Sequence, residues 1–371
     1  MEASPQTTEP TPAEPTPDTR PDLLGLSLPR MAATLAPVLD RPFRAAQIYE
    51  AIHRRGVLDF AAMTDLPKAM RDGLTAGFRL GRLDVTERRV SADGTAKVLY
   101  RLPDGATIEA VDIPDRDRRT FCVSSQAGCA LACSFCVTGY WGAGRNLAAG
   151  EIVAQVLGLR RDGGLVIGDG LNLVFMGMGE PLHNLENLKD AIDLLAETIS
   201  LRRITVSTVG VVPGIAAMAT WERRPNLAVS LHAPDDTLRS RIMPINRTYP
   251  LRELFAALDR YPLEKGRRIT YEYILIQGVN DAPRQADQLA KLLAGRKAKV
   301  NLIPVNPDPV LGAAMVPPAD AVVQAFQERL YRHGLTATVR RRRGDDVAAA
   351  CGQLRAFGRD PRGFRVNPAA R

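Results

Sequence analysis

The chain has 371 residues, 45% of them hydrophobic, so it can bury a large core together with a small additional domain. Its formal net charge is +8, which favours a polyanionic partner such as a nucleic acid. No apolar run has the length of a membrane span, and residues 1–21 lack the basic start and apolar core of a signal peptide. We therefore expect a cytoplasmic protein that does not bind membranes.

Residues 1–21 are rich in proline, threonine and glutamate, a composition typical of a disordered tail. The tail carries four acids and one base, a net charge of −3, so residues 22–371 hold a net charge of +11. The run Arg340–Arg343 adds to this basic density. Charge alone leaves two interpretations open, a nucleic-acid partner and a surface of solvated arginines.

Residues 22–85 predict a small helical accessory domain. Phe43, Ile48 and Ile52 fall on roughly one face of a helix. Pro67 is placed to occupy the first turn of a further helix. We expect these helices to form one compact module.

Residues 86–118 alternate between apolar and polar positions and predict a β-hairpin linker, with turns at Asp93-Gly94 and Asp104-Gly105. Residues 119–354 then repeat a strand–helix pattern, which indicates a parallel sheet. Six such units predict an α/β fold, a partial (β/α)6 barrel that carries the helical domain and a short β extension, followed by a tail at 355–371. The predicted strands are 119–124, 171–176, 203–208, 226–231, 269–276 and 299–303, and the predicted helices between or after them are 148–161, 184–198, 251–260, 283–295 and 318–333.

Three closely spaced cysteines, Cys129, Cys133 and Cys136, predict a metal centre in the loop after the first barrel strand. A structural zinc site normally has four protein ligands, whereas three cysteines leave one iron of a [4Fe–4S] cluster open for a cofactor. This spacing, with Phe135 before the last cysteine, resembles the radical S-adenosylmethionine (SAM) superfamily. A zinc knuckle and chance clustering are the alternatives.

Small and polar residues follow the predicted strands, at the carboxyl ends where the catalytic residues of a barrel lie. Each residue alone is also explained as a turn or a cap, but their agreement at one edge of the sheet indicates a ligand site. They are Gly177–Pro181, Ser207-Thr208, Ser230-Leu231-His232 and Asn306.

Two cysteines, Cys122 and Cys351, lie outside the triplet. A lone cysteine is usually a small buried apolar residue. The glycines and charges that flank Cys351 favour a mobile segment instead, and the sequence pattern alone leaves both interpretations open.

Longer strings resemble the radical-SAM adenine-C2 methyltransferases that act on large-subunit ribosomal RNA and on transfer RNA. They run in order from Cys122 to Leu354, and the helical module from about Phe43 also fits. The strings are CVSSQAGCALACSFC, RNL, GMGEPL, VSTVGVVP, VSLHAPDD, MPINR, YEYILIQGVND, NLIPVNP and RRGDDVAAACGQL.

The resemblance implies a role for each residue. It implies that Cys351 carries a methyl group as S-methylcysteine, that Cys122 resolves the covalent intermediate through a transient disulfide with Cys351, and that Glu109 accepts a proton. From the sequence pattern alone, Glu109 is expected to be an exposed strand carboxylate. The implied cluster ligands are Cys129, Cys133 and Cys136, and the implied SAM contacts are Gly179, Glu180, Ser207, Ser230, Leu231, His232 and Asn306.

The implied substrates are 23S ribosomal RNA and the adenosine 3′ to the anticodon of transfer RNA. The implied cofactors are one [4Fe–4S] cluster and SAM, with a flavodoxin- or ferredoxin-type electron donor, and a monomer is expected. A C8-specific ribosomal RNA methyltransferase of the antibiotic-resistance type shares these motifs and is the nearest alternative. A non-catalytic RNA-binding protein with a structural metal and an activase that makes a glycyl radical are two further alternatives.

Overall fold

The computed structural model describes residues 18–164, 170–340 and 342–354. One ten-stranded sheet forms its centre, with the strands hydrogen bonded to each other in chain order. The first four strands are antiparallel neighbours, and the pairs from β4 to β10 are parallel. The strands are β1 (Asp84–Val90), β2 (Ala96–Arg101), β3 (Thr107–Asp115), β4 (Arg118–Cys122), β5 (Leu171–Phe175), β6 (Ile204–Thr208), β7 (Asn226–Ser230), β8 (Ile269–Leu275), β9 (Ala298–Pro304) and β10 (Ala337–Val339).

In the part of the chain that the structure describes, three helices precede the sheet and the others connect or flank its parallel strands. Within the described ranges, none of them combines the length and the apolarity needed to cross a membrane. The helices are α1 (Leu28–Leu35), α2 (Arg44–His53), α3 (Lys68–Gly77), α4 (Val137–Tyr140), α5 (Ala149–Asp162), α6 (Leu185–Leu195), α7 (Val212–Ala219), α8 (Asp236–Ile242), α9 (Leu251–Asp259), α10 (Pro283–Leu293) and α11 (Asp320–Arg332).

The predicted partial barrel is confirmed, because β4 to β9 are six parallel strands with intervening helices. The predicted β extension is also confirmed as β1 to β3, and β3 continues the sheet by pairing with β4. Strand β10 was not predicted, because three residues are too short a run to show a pattern. The exact domain limits stay predictions.

The helical module packs against the barrel through a close contact of two backbones. A Cβ atom on Gly25 would lie only 2.7 Å from the backbone nitrogen of Gly150, at the start of α5. Ile48 and Ile52 are buried as expected. Phe43 lies just before the first residue of α2, is 55% exposed and lies against the guanidinium of Arg44, 5.1 Å from the ring centroid.

The two predicted tails lie mostly outside the described residues, which begin at 18 and end at 354. Residues 18–21 belong to the described part, and the carbonyl of Pro21 accepts a hydrogen bond from the Arg79 amide at 3.0 Å. The parallel strands β4 to β9 all end at the same edge of the sheet, so the loops that follow them meet there.

Candidate active site at the carboxyl ends of the parallel strands

The loop between β4 and α5 brings the three predicted cluster cysteines together. Cys133 is buried, whereas Cys129 and Cys136 are half-buried. Burial raises the pKa of Cys129 to about 12 and raises the pKa of Cys133 well above its usual range, and the Cys136 thiol contributes to both shifts. No group of three or more acidic, histidine or cysteine side chains in the described ranges is arranged to hold a metal ion by itself. The loop alone therefore does little to stabilise the negative charge of three thiolates. A bound cationic centre would supply the positive charge that stabilises them.

Residues 123–148, between β4 and α5, are called the cluster loop. This loop contacts the ends of β7 and α8 and the segment around Cys351. The ring of Phe135 meets the ring of His232 edge to face, with the centroids 4.6 Å apart. The Ser134 amide donates to the carbonyl of Ile242 at the end of α8. The Val137 amide, directly after the third cysteine, donates to the carbonyl of Gly352 at 2.6 Å. The loop thus contacts the segment that carries Cys351.

The glycines after β5 allow two backbones to lie unusually close. A Cβ atom on Gly177 would lie 2.7 Å from the backbone of Val123, and one on Gly179 would lie 2.5 Å from Cβ of Gln126. Gly179 also has a φ of +96°, which favours glycine. Any other residue would push the β5 loop away from the start of the cluster loop.

The buried carboxylate of Glu180 ties the β5 loop to the β6 loop. It accepts hydrogen bonds from the amides of Leu182 at 3.0 Å and Val209 at 2.9 Å. Burial raises the pKa of Glu180 to about 7 despite these bonds. A cationic group bound nearby would stabilise the ionised form of this carboxyl.

The other predicted SAM contacts lie at the ends of β6 and β7. Ser207 and Ser230 are half-buried, and Leu231 and His232 are buried. His232 has a φ of +58°, and its Nδ1 atom accepts a hydrogen bond from the Ile274 amide at 2.9 Å. Burial lowers the pKa of His232 to about 3, so the ring is neutral.

Arg239 is a residue that the sequence analysis missed. Its side chain is fully buried and donates to the carbonyl oxygens of Val209, Ser230 and Leu231 at 2.5, 3.2 and 3.1 Å. These carbonyls belong to the ends of two neighbouring strands, so one guanidinium fixes both ends. The signal was available, since Arg239 lies between the VSLHAPDD and MPINR strings.

Asn306 connects the strand ends to Cys351. Its side-chain nitrogen donates to the Cys351 carbonyl oxygen at 3.1 Å. Its Oδ1 atom is buried and has no hydrogen-bond partner among the described residues. A buried acceptor without a donor is costly, so the atom marks a place where a ligand donor fits.

Cys122 and Cys351 lie close enough to interact electrostatically. Burial, with a smaller contribution from Cys351, raises the pKa of Cys122 to about 12. The guanidinium of Arg340 opposes this effect, and its own pKa is raised first by Cys351 and also by Glu272 and Cys122. Arg340, predicted as part of a basic run, therefore faces the inside of the site.

Glu109 is not the exposed strand carboxylate expected from the pattern. It is 1% exposed, because the Cys351 segment and the β5 loop lie against the β extension. Its carboxylate pairs with the ammonium of Lys97 at 3.0 Å. Lys97 Nζ also donates to the carbonyl oxygen of Ala348 at 3.1 Å, three residues before Cys351.

The residues present fit an iron–sulfur cluster and SAM. Three thiols close enough to interact electrostatically suit a cluster with one open iron. The close glycine backbones, the buried Glu180 carboxyl and the unpartnered Asn306 oxygen suit the polar groups of SAM.

Comparisons with known proteins agree with this geometry. The radical SAM superfamily matches residues 123–290, and the ribosomal RNA large subunit methyltransferase N-terminal domain matches residues 21–79. A dual-specificity RNA methyltransferase RlmN from Anaeromyxobacter dehalogenans is 49% identical over 93% of this chain and 95% of its own length. The RlmN of Syntrophobacter fumaroxidans is 48% identical over 88% of this chain and 96% of its own length.

A solved structure gives the same result for the fold. The crystal structure of a radical SAM methyltransferase from Sphaerobacter thermophilus has a TM-score of 0.85 and 45% identity, and it covers 91% of this chain and 99% of that chain. A [4Fe–4S] cluster and SAM are the cofactors of this superfamily. The chain belongs to the RlmN family of radical SAM dual-specificity RNA methyltransferases.

Proposed function

We propose that the chain methylates C2 of a specific adenosine in 23S ribosomal RNA and of the adenosine 3′ to the anticodon in transfer RNAs. The observation that carries the proposal is the convergence of Cys351 on Cys122, Arg340 and the cluster loop. The near full-length likeness to relatives named dual-specificity RNA methyltransferases supports the two classes of RNA.

In this proposal Cys129, Cys133 and Cys136 hold the cluster. Main-chain groups of Gly179 and Leu231 and the side chains of Glu180, Ser207, Ser230, His232 and Asn306 contact SAM. When bound, the cluster and SAM supply one-electron chemistry that activates an unreactive C–H bond.

Cys351 is the methyl carrier. The C2 atom of adenine lies between two ring nitrogens and is electron-poor, so it cannot attack a sulfonium methyl group as a nucleophile. A thiolate can, because sulfur is strongly nucleophilic once deprotonated. Cys351 thus holds the methyl group as a thioether beside Cys122, and the guanidinium of Arg340 favours the anionic form of the Cys122 thiol.

Glu109 and Cys122 complete the reaction. Joining the Cys351-bound carbon to C2 requires that the carried methyl group first lose one hydrogen atom, which the one-electron chemistry of the bound cofactors would remove. The ring then gives up its C2 hydrogen as a proton, which the carboxylate of Glu109 takes, together with one electron, which would return to the bound cluster. The thiolate of Cys122 then attacks the Cys351 sulfur. A Cys122–Cys351 disulfide forms, the sulfur–carbon bond breaks with its electron pair going to carbon, and that carbon takes up a proton as the product methyl group.

The target adenosine must leave its base stack to reach this buried site. An external one-electron donor of the flavodoxin or ferredoxin type is also required, and the chain acts as a monomer. The net charge of +8 supports association with RNA.

The test is an assay of the anaerobically reconstituted protein on 23S ribosomal RNA fragments and on transfer RNA, with the methylated atom located by NMR or mass spectrometry. The proposal predicts 2-methyladenosine in both RNAs. Methylation at C8 would identify the resistance-type activity instead, and SAM consumption without RNA methylation would exclude an RNA methyltransferase.

A further inference from the structure

One lysine joins the predicted proton acceptor to the segment that carries Cys351. The Nζ atom of Lys97, on β2, lies 3.0 Å from the carboxylate of Glu109 on β3 and 3.1 Å from the carbonyl oxygen of Ala348. The Lys97 side chain is 4% exposed. A buried ammonium needs acceptors for its charge, and one of these acceptors, the Ala348 carbonyl, lies 251 residues from Lys97 along the chain.

The turn between β1 and β2 adds two contacts to the same segment, residues 342–354, which we call the Cys351 loop. The Ala92 amide donates to the carboxylate of Asp346, and the Gly344 amide donates to the carboxylate of Asp93, both over 3.2 Å. The hairpin therefore contacts the Cys351 loop along several residues.

The Cys351 loop has little regular structure to hold its shape. It contains one short 3-10 turn, Asp345–Val347. Ala348 has a φ of +51°, a left-handed conformation that is unfavourable for a residue with a side chain. Such a conformation persists only when contacts fix it, and the Lys97 bond is made to the carbonyl of this same residue.

We propose that Lys97 is a positioning residue that holds the Cys351 loop closed over the site and orients the Glu109 carboxylate. One ammonium then sets the relative position of the methyl carrier and the proton acceptor. The role in catalysis rests on the proposed function, whereas the role in closing the loop does not.

Hydrogen–deuterium exchange of the amides of the Cys351 loop tests the proposal directly. The Gly344 amide donates to the Asp93 carboxylate on the hairpin, so its exchange reports the opening of the loop. Among the described residues, the amides of Val347, Ala348 and Ala349 bond within the loop, and their exchange reports the turn around Ala348 that the Lys97 bond fixes. We expect Lys97→Met to speed their exchange roughly 10- to 100-fold, because a hydrogen bond from a charged donor is lost. Lys97→Arg keeps a cationic donor and should recover most of the protection.

A double variant separates positioning from simple charge balance. Glu109→Gln keeps the Lys97–Ala348 bond, so loop exchange should stay within about twofold of the parent value. In Lys97→Met combined with Glu109→Gln no carboxylate is left without its partner, yet we expect the loop to exchange as fast as in Lys97→Met alone. Parent-like protection in this double variant would overturn the proposal, because Lys97 would then only balance charge.

Lys189→Met is the matched control, since Lys189 forms an exposed ion pair with Asp193 on α6. In Lys189→Met the amides of the Cys351 loop should exchange at the same rate as in the parent. If Lys97→Met does not fold, Lys97→Arg decides the matter. Because protection in that variant should stay close to that of the parent, kcat decides: a lowered kcat with an unchanged KM for RNA supports a position-sensitive role, and an unchanged kcat contradicts it. A finding that Cys351→Ala keeps full methylation would remove the proposed function but leave the exchange result standing.

Discussion

The side-chain nitrogen of Asn306 donates a hydrogen bond to the carbonyl oxygen of Cys351 over 3.1 Å. The oxygen of the same amide is buried and has no partner among the described residues. One side chain thus holds Cys351, the proposed methyl carrier, and presents an acceptor to the space where we propose that SAM binds.

Replacing Asn306 with alanine removes both functions. We expect the affinity of the reconstituted protein for SAM to fall about tenfold, the usual effect of losing one hydrogen bond in a buried site. Equilibrium binding of SAM measures this. Asn226→Ala is the control. Asn226 is the first residue of β7, so it lies at the opposite edge of the sheet, where its side chain donates to the Arg202 carbonyl. Equal affinities of the two variants would show that the Asn306 oxygen has no role in binding.

Cys351→Ala should reduce RNA methylation below detection, because the methyl group then has no thiol to carry it. Reductive cleavage of SAM should persist at some level, since the three cluster cysteines are unchanged. Chromatography of 5′-deoxyadenosine and of digested RNA measures both. Normal methylation by this variant would refute the carrier role.

Cys122→Ala should trap a covalent adduct between protein and RNA. The thiol that attacks the Cys351 sulfur is missing, so the tethered product cannot leave. Denaturing gel electrophoresis with labelled RNA detects the adduct, and nuclease treatment followed by peptide mass spectrometry locates it at Cys351. A variant that releases methylated RNA at the parent rate would remove Cys122 from the mechanism.

The burial of His53 predicts that the folded protein loses stability in acid. Burial lowers its pKa to about 4, and its Nε2 atom has no partner in the described part of the chain. The unfolded chain therefore binds more protons than the folded one between about pH 4 and 6.5, and stability falls as the pH falls through this range. From pH 7 to pH 5 this residue should cost about 2 kcal/mol of unfolding free energy.

Urea unfolding of the parent and of His53→Phe at both pH values measures this cost. The phenylalanine ring keeps the contact with Tyr49, whose ring centroid lies 4.5 Å from that of His53. The loss between pH 7 and pH 5 should be smaller in the variant by about the same 2 kcal/mol. An equal loss in both proteins would show that His53 does not change its protonation state between pH 7 and pH 5.

The sequence predicted the parallel strands well because both faces of such strands are buried. A strand such as Asn226–Ser230 has a short run of consecutive buried apolar residues bounded by polar residues, and its limits are visible. The cluster cysteines were visible for a different reason, since their spacing is local. The loop between two barrel elements holds all three.

Contacts between distant segments could not be predicted in this way. Glu109 alternates with apolar neighbours, which suggested exposure, but the Cys351 loop covers its strand and Lys97 pairs with it. Arg239 resembles any arginine of an amphipathic helix until three carbonyl groups are seen around it. Such side chains are explained by tertiary contacts, which no local pattern contains.

A single-turnover labelling experiment tests the central claim most directly. The protein is first loaded with a deuterated methyl group on Cys351 from labelled SAM, freed of small molecules, and then given RNA and unlabelled SAM. If Cys351 carries the methyl group to adenine, the methyladenosine of the first turnover retains deuterium. A first product with a wholly unlabelled methyl group would contradict the account.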